Sequence, residues 1–110
     1  MDDRDGLPTD ELLDALKALA NPVRLQIMEW LRAPEVEFAE WDPIADRSEV
    51  GVCVTHIQAK VGLAQSTVSS YMKTLEQAGL VRSTRIGKWT HYQRDEELLR
   101  RIGASVANLS

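Results

Sequence analysis

The chain has 110 residues, an apolar fraction of 44% and a net charge of −4 at pH 7, which allows one domain over residues 1–110. A domain this small buries only about two-thirds of its unfolded surface, so association through an exposed apolar face is expected. One cysteine rules out an internal disulfide framework, the acidic start MDDRDGLPTDE lacks a signal core, and no apolar run approaches a membrane span, so the sequence reads as cytoplasmic.

Residues 1–8 read as frayed. Thr9 stands as an N-cap before Asp10 and Glu11, where a helix dipole favours acids, and Leu12, Leu16 and Leu19 predict a helix over about 10–19. Asn21-Pro22 is a cap followed by proline at the first helical position, opening a second helix that Pro34 stops. Residues 33–51 break the pattern: six acids stand against Arg47 alone, with Phe38, Trp41 and Ile44 among them. They read as an irregular acidic loop partly pinned by those apolar residues, either a solvated excursion or a functional one whose carboxylates coordinate a hard cation or repel DNA.

Val52-Cys53-Val54 forms a short strand candidate. Thr55 and Gln58 have capping-box spacing, predicting a helix over about 56–61 that Gly62 ends. The turn Gly62-Leu63-Ala64 leads to a helix over about 65–78, closed by Gly79. Two β-prone runs around Ile86-Gly87-Lys88 predict a hairpin, and Asp95 caps a last helix carrying Leu98, Leu99, Ile102, Val106 and Leu109. The fold class is mainly α with a small β-hairpin: about five helices and a two-stranded wing, in the order of a winged helix-turn-helix.

Charge distribution points to DNA. Residues 55–94 hold Lys60, Lys73, Arg82, Arg85, Lys88 and Arg94 against one acid, Glu76, a net of +5 that leaves −9 on the rest of the chain. Local field rather than total charge decides where a polyanion docks. In the helix at 65–78, Val68, Met72 and Leu75 share an inward face, while Gln65, Ser66, Thr67, Ser69, Ser70 and Lys73 offer polar groups opposite. A helix of this kind fits the major groove, its N-terminal residues reaching base edges. Thr55 and His56 are further phosphate contacts, and Arg82, Arg85 and Lys88 place cations along the hairpin. No glycine-rich phosphate loop, nucleophile elbow or Cys-His arrangement with an orienting group is present, so an enzyme is not expected.

The segments LKALANPVRLQIMEWL (16–31) and VCVTHIQAKVGLAQSTVSSYMKTLEQAGLVRSTRIGKWTHYQ (52–93) resemble the ArsR-type (ArsR/SmtB) winged-helix regulators, over about 80 residues that leave the acidic loop unmatched. The resemblance implies a homodimer joined by the first and last helices, recognition of an imperfect palindrome in double-stranded DNA, and ligand-controlled release. Where the family's usual pattern has an N-capping serine, this chain has Ala64, and Ser70-Tyr71 replaces an Arg-His pair. In the segment where the metal-sensing branch carries a cysteine pair, Cys53 is retained, the second cysteine is Thr55, and His56 follows.

The dimer expected from this reading uses Leu12, Leu16, Leu19, Leu99, Ile102 and Val106, which otherwise serve as intramolecular core. Cys53 and His56 are candidate ligands for a divalent transition metal, nickel or zinc, with His91 and loop carboxylates in reach; thiol oxidation at Cys53 is the second candidate signal. Cys53 is otherwise a small buried hydrophobe, and His56 a surface histidine. A protein-docking winged helix is the competing class, distinguished by a shallower response to salt.

Overall fold

The structure, a computed structural model, describes residues 6–109. Helix α1 (Thr9–Leu19) is followed by α2 (Pro22–Trp30). Asn21 Oδ1 accepts from the N–H groups of Val23 and Arg24 at 2.9 and 3.0 Å, and Pro22 takes the first helical position, where a missing N–H costs nothing. The start of α1 differs from expectation. Thr9 lies inside the first turn, Pro8 takes the cap position, and no side chain caps the helix. The chain enters α1 already tethered: Leu7 N–H donates to Ser105 Oγ at 2.8 Å, and Arg101 donates to the Gly6 carbonyl at 3.0 Å. Gly6 and Leu7 are therefore fastened to the last helix rather than frayed. Residues 1–5 of that expectation lie outside the described residues.

The stretch 33–51 is not an irregular excursion. It forms two short helices, α3 (Pro34–Glu37) and α4 (Arg47–Val50), with Phe38 fully buried between them. Phe38 meets Trp30 edge-on, ring centroids 6.4 Å apart, and lies 6.2 Å from Trp41. Burying a phenylalanine side chain stabilises by roughly 1.5–3 kcal/mol, so this acidic segment carries part of the core. Asp46 caps α4 through the Ser48 N–H at 2.9 Å. The exit from α4 needs glycine: Gly51 has φ +85°, and a Cβ there would collide with the Tyr92 carbonyl.

After Gly51 come β1 (Val52–Cys53), α5 (Val54–Val61), α6 (Gln65–Gln77), β2 (Val81–Ile86), β3 (Trp89–Arg94) and α7 (Glu96–Ala107). The sheet has three antiparallel strands in the order β1-β3-β2, so the predicted two-stranded wing gains a third strand at its root. Cys53 pairs with His91, Val52 with Tyr92, and Ile86 with Trp89 across the Gly87-Lys88 turn. Because β1 runs straight into α5, the sheet fixes the helix entry. Cys53 occupies the cap position, Thr55 falls within the first turn, and the Thr55–Gln58 capping box does not form. The Gln58 amide donates instead to the Leu63 carbonyl at 3.2 Å. Asp95 does cap α7, accepting from the Leu98 N–H at 2.9 Å. Seven helices stand among the described residues, two more than predicted, and the additional pair is α3 and α4.

Ile27, Phe38, Ile57, Met72, Leu75 and Leu80 are fully buried and join the helices to the inner face of the sheet. No helix of the described residues is long and apolar enough to cross a membrane.

Candidate nucleic-acid interface

Helix α5, the turn at 62–64 and α6 form the helix-turn-helix. Gly62, at φ +78°, adopts the left-handed conformation that terminates α5, its N–H bonded to the Gln58 carbonyl at 2.9 Å. Val68, Met72 and Leu75 are fully buried, fixing the rotation of α6 as its spacing predicts. That rotation leaves Gln65, Ser66, Ser70 and Lys73 exposed and Thr67 and Ser69 half-buried. Ala64 provides no side-chain cap, so the N–H groups of the first turn of α6 receive no bond from it.

On the wing, Arg82, Arg85 and Lys88 are exposed. Arg85 Nε donates to the Gly87 carbonyl at 3.0 Å, and Lys88 Nζ sits 5.0 Å from the centre of the Trp89 ring, so both cations are held by the wing's own tip. Ser83 donates to the Glu76 carboxylate, tying β2 to α6. Arg94 is differently placed. Its guanidinium donates twice to Glu96, at 2.9 and 2.8 Å, and once to the Met28 carbonyl at 3.2 Å, serving the wing root.

Two polar residues of α5, Lys60 and His56, are taken up by the acidic segment. Lys60 Nζ lies 4.9 Å from the Trp30 ring centre, 5.8 Å from that of Phe38 and 3.8 Å from the Glu37 carboxylate. Thr55 Oγ1 is 3.0 Å from Cys53 Sγ. His56 stacks on Trp41 with ring centroids 6.3 Å apart, and its Nδ1 is 3.3 Å from an Arg47 Nη2. A guanidinium only donates, so His56 Nδ1 accepts and the imidazole is neutral with its proton on Nε2. Burial, then the Arg47 charge, then His91 hold the His56 pKa below its ordinary value. Thr55 and His56, both expected at phosphates, are thus engaged within the protein.

Arg47 went unrecognised as a site residue. It is 8% exposed, donates to the Trp41 carbonyl at 2.7 Å, and has no carboxylate partner among the described residues. The signal available was its position as the one cation in a run of six acids.

Cys53 and His56 are not gathered into a metal-binding set. Cys53 is a buried free thiol engaged with Thr55, and no three His, Cys, Asp or Glu side chains come together among the described residues. His91 is buried with neither ring nitrogen hydrogen-bonded.

The apolar stripes of α1 and α7 divide. Ile102 is buried within the single chain, and Leu12, Leu19 and Leu99 pack half-buried against the same core. Leu16 and Val106 remain exposed, joined by Leu13 and Leu109.

Comparison with known proteins agrees with this arrangement. The IclR helix-turn-helix domain model matches residues 47–85. The HTH-type transcriptional regulator YbzH of Bacillus subtilis (strain 168) is 45% identical over 92 residues, covering 84% of this chain and 91% of YbzH. A Halobacterium salinarum protein described as an arsenical resistance operon repressor, ArsR2, is 31% identical over 86% of this chain and 66% of its own. Among solved structures, an ArsR-like transcriptional regulator from Rhodococcus has the same fold, with a TM-score of 0.66 at 17% identity over 91% of this chain and 79% of that one. The homodimeric winged helix-turn-helix DNA-binding domain of Mb0332 from Mycobacterium bovis matches at a TM-score of 0.59 and 26% identity, over 90% of this chain and 80% of that one.

Proposed function

The chain belongs to the ArsR-type winged helix-turn-helix transcriptional regulators, and from that premise we propose that two copies bind a palindromic operator with their α6 helices in successive major grooves. The observation that carries this reading is α6 itself: its apolar side is fully buried while Gln65, Ser66, Ser70 and Lys73 stand free on the other. Gln65 is suited to a bidentate contact with adenine, and the serines and Thr67 to bases or phosphates. Lys73, Arg82, Arg85 and Lys88 supply affinity through phosphates.

Pairing through α1 and α7 accounts for the apolar side chains those helices leave exposed, Leu13, Leu16 and Val106, and for Leu109 just beyond α7. The homodimeric state of the Mb0332 domain supports a dimer. The description of ArsR2 as an operon repressor supports a repressing role. Control by nickel or zinc is not part of the proposal, because Cys53 and His56 have no third ligand beside them among the described residues.

Selection of bound sequences from a random DNA pool tests the reading. An inverted repeat with half-sites about one helical turn apart is expected. Enrichment of no sequence, or of an unrepeated half-site alone, overturns it.

A further inference from the structure

The wing root holds a cavity that shares only Arg82 with the proposed DNA contacts. About 260 Å³ in volume, it opens between α4, the β2–β3 pair and the start of α7, and Arg47, Ser48, Arg82, Gln93, Arg94 and Glu96 line it. Three guanidinium groups and one carboxylate give it a net positive charge. That carboxylate, Glu96, already pairs with Arg94. Asp46, next to Arg47 in the chain, is engaged by the N–H and hydroxyl of Ser48.

Arg47 is the unexplained member. It is more than nine-tenths buried, its Nε meets no acceptor, and its other contacts are a carbonyl and an imidazole, neither of them an anion. Buried cations are ordinarily paired, because removing a charge from water is costly without a counter-charge. Guanidinium forks bind carboxylate and phosphate groups in preference to other partners.

We infer that this cavity is a binding site for a small oxyanion, a compact molecule bearing a carboxylate or phosphate group that completes the charge of Arg47 and Arg82. The volume admits one anionic group with a short body. Such a ligand touches the acidic segment through Arg47 and Ser48 and the wing through Arg82 and Gln93, so its binding fixes the wing root relative to α5. Through that contact it sets DNA affinity, a step that rests on the regulator reading, whereas binding of the anion does not.

The test follows the arginine Nε–H resonances of the ¹⁵N-labelled full chain, free of DNA. Inorganic phosphate is titrated in one series and succinate in another, against sodium chloride at matched ionic strength. A saturable shift of the Arg47 signal in one of the two series, absent with chloride, is expected, and the active series identifies the anionic group. Ser48→Glu gives up the hydroxyl bond to Asp46 but keeps the backbone one; it places a carboxylate at the cavity and should weaken binding at least tenfold, with circular dichroism and the thermal midpoint checking that the fold is retained. Arg47→Lys, which retains the charge but not the fork, should weaken it as well. Absence of a saturable shift in both series, or an unchanged affinity in Ser48→Glu, overturns the site. A bound anion that leaves DNA affinity unchanged at fixed ionic strength overturns the coupling. The operator selection, run without added anion, judges the regulator reading separately.

Discussion

Helices α5 and α6 stand side by side in one helix-turn-helix, and their polar residues meet different fates. On α6, Gln65, Ser66, Ser70 and Lys73 stay in solvent. On α5, Lys60 lies against two aromatic rings and Glu37, while His56 is held between Trp41 and Arg47. The difference comes from what packs on each helix, since the residue types themselves are equally suited to phosphate. The segment 33–51 covers α5 and leaves α6 bare. A formal +5 over residues 55–94 therefore overstates the charge available to DNA, because Lys60 and Arg94 are both committed within the protein.

The largest expected effect tests whether the covering segment is structural. Phe38→Ala should cost about 3–5 kcal/mol of unfolding free energy, as for other fully buried phenylalanines, a large fraction of a small domain's stability. Gln65→Ala, on the bare helix, should stay within about 0.5 kcal/mol. Urea unfolding measures both. A small loss in Phe38→Ala would return residues 33–51 to the status of a surface loop and remove the basis of the comparison.

Salt dependence separates the two helices directly. Each phosphate contact removed should lower the slope of log affinity against log salt by about one unit. Lys73→Ala and Arg85→Ala should each do so, whereas Lys60→Ala should leave the slope unchanged. A reduced slope in Lys60→Ala would show that the lysine leaves its aromatic seat to meet DNA.

Most of the fold was legible because its signals are local. The Asn21-Pro22 cap, the glycines at 62 and 79, and the Val68–Met72–Leu75 spacing each set an element without help from distant residues. The caps at Thr9 and Thr55 failed for the opposite reason: a tether to Ser105 and the pairing of β1 with β3 fix those helix entries over long sequence distances. The acidic segment misled because charge dominates its composition, while its structure rests on three aromatic and cationic contacts. Phe38 and Trp41 were visible as apolar residues within it, but their partners Trp30, His56 and Lys60 lie in other elements. Likewise the leucine stripes gave the two helices, but not which residues the single chain buries for itself. Ile102 is core and Val106 is not.

A smaller effect concerns the latch between α5 and the covering segment. The His56 pKa lies below 6.5 in the folded protein, chiefly through burial and then through Arg47 and His91. Between that lowered value and 6.5 the unfolded chain binds more protons than the folded one, so stability rises with pH in this window. The contribution is complete above 6.5 and is lost as pH falls through the lowered value, when imidazolium would oppose the Arg47 guanidinium. Thermal unfolding between pH 7.5 and 5 should show this loss, and His56→Gln should flatten the profile. An equal slope in both proteins would assign it elsewhere.

The smallest effect sharpens the comparison at the bare helix. Asn21, Asp46 and Asp95 cap α2, α4 and α7 through their side chains, but Ala64 cannot cap α6. The Ala64 backbone, at φ −59° and ψ 145°, already has the extended conformation a capping residue needs. Ala64→Ser therefore adds an acceptor for the N–H of Ser66 or Thr67 without moving the chain. Stability should rise by about 0.5–1 kcal/mol, read from the urea midpoint at constant slope. The same N–H groups are the ones a DNA phosphate would use at this helix end. The serine oxygen competes for them, so affinity for DNA should gain nothing from the added stability. A variant that is no more stable would show that water already satisfies these groups as well as a side chain does. One that gains stability and binds DNA more tightly would place the phosphate elsewhere and make preorganisation of α6 the limiting factor.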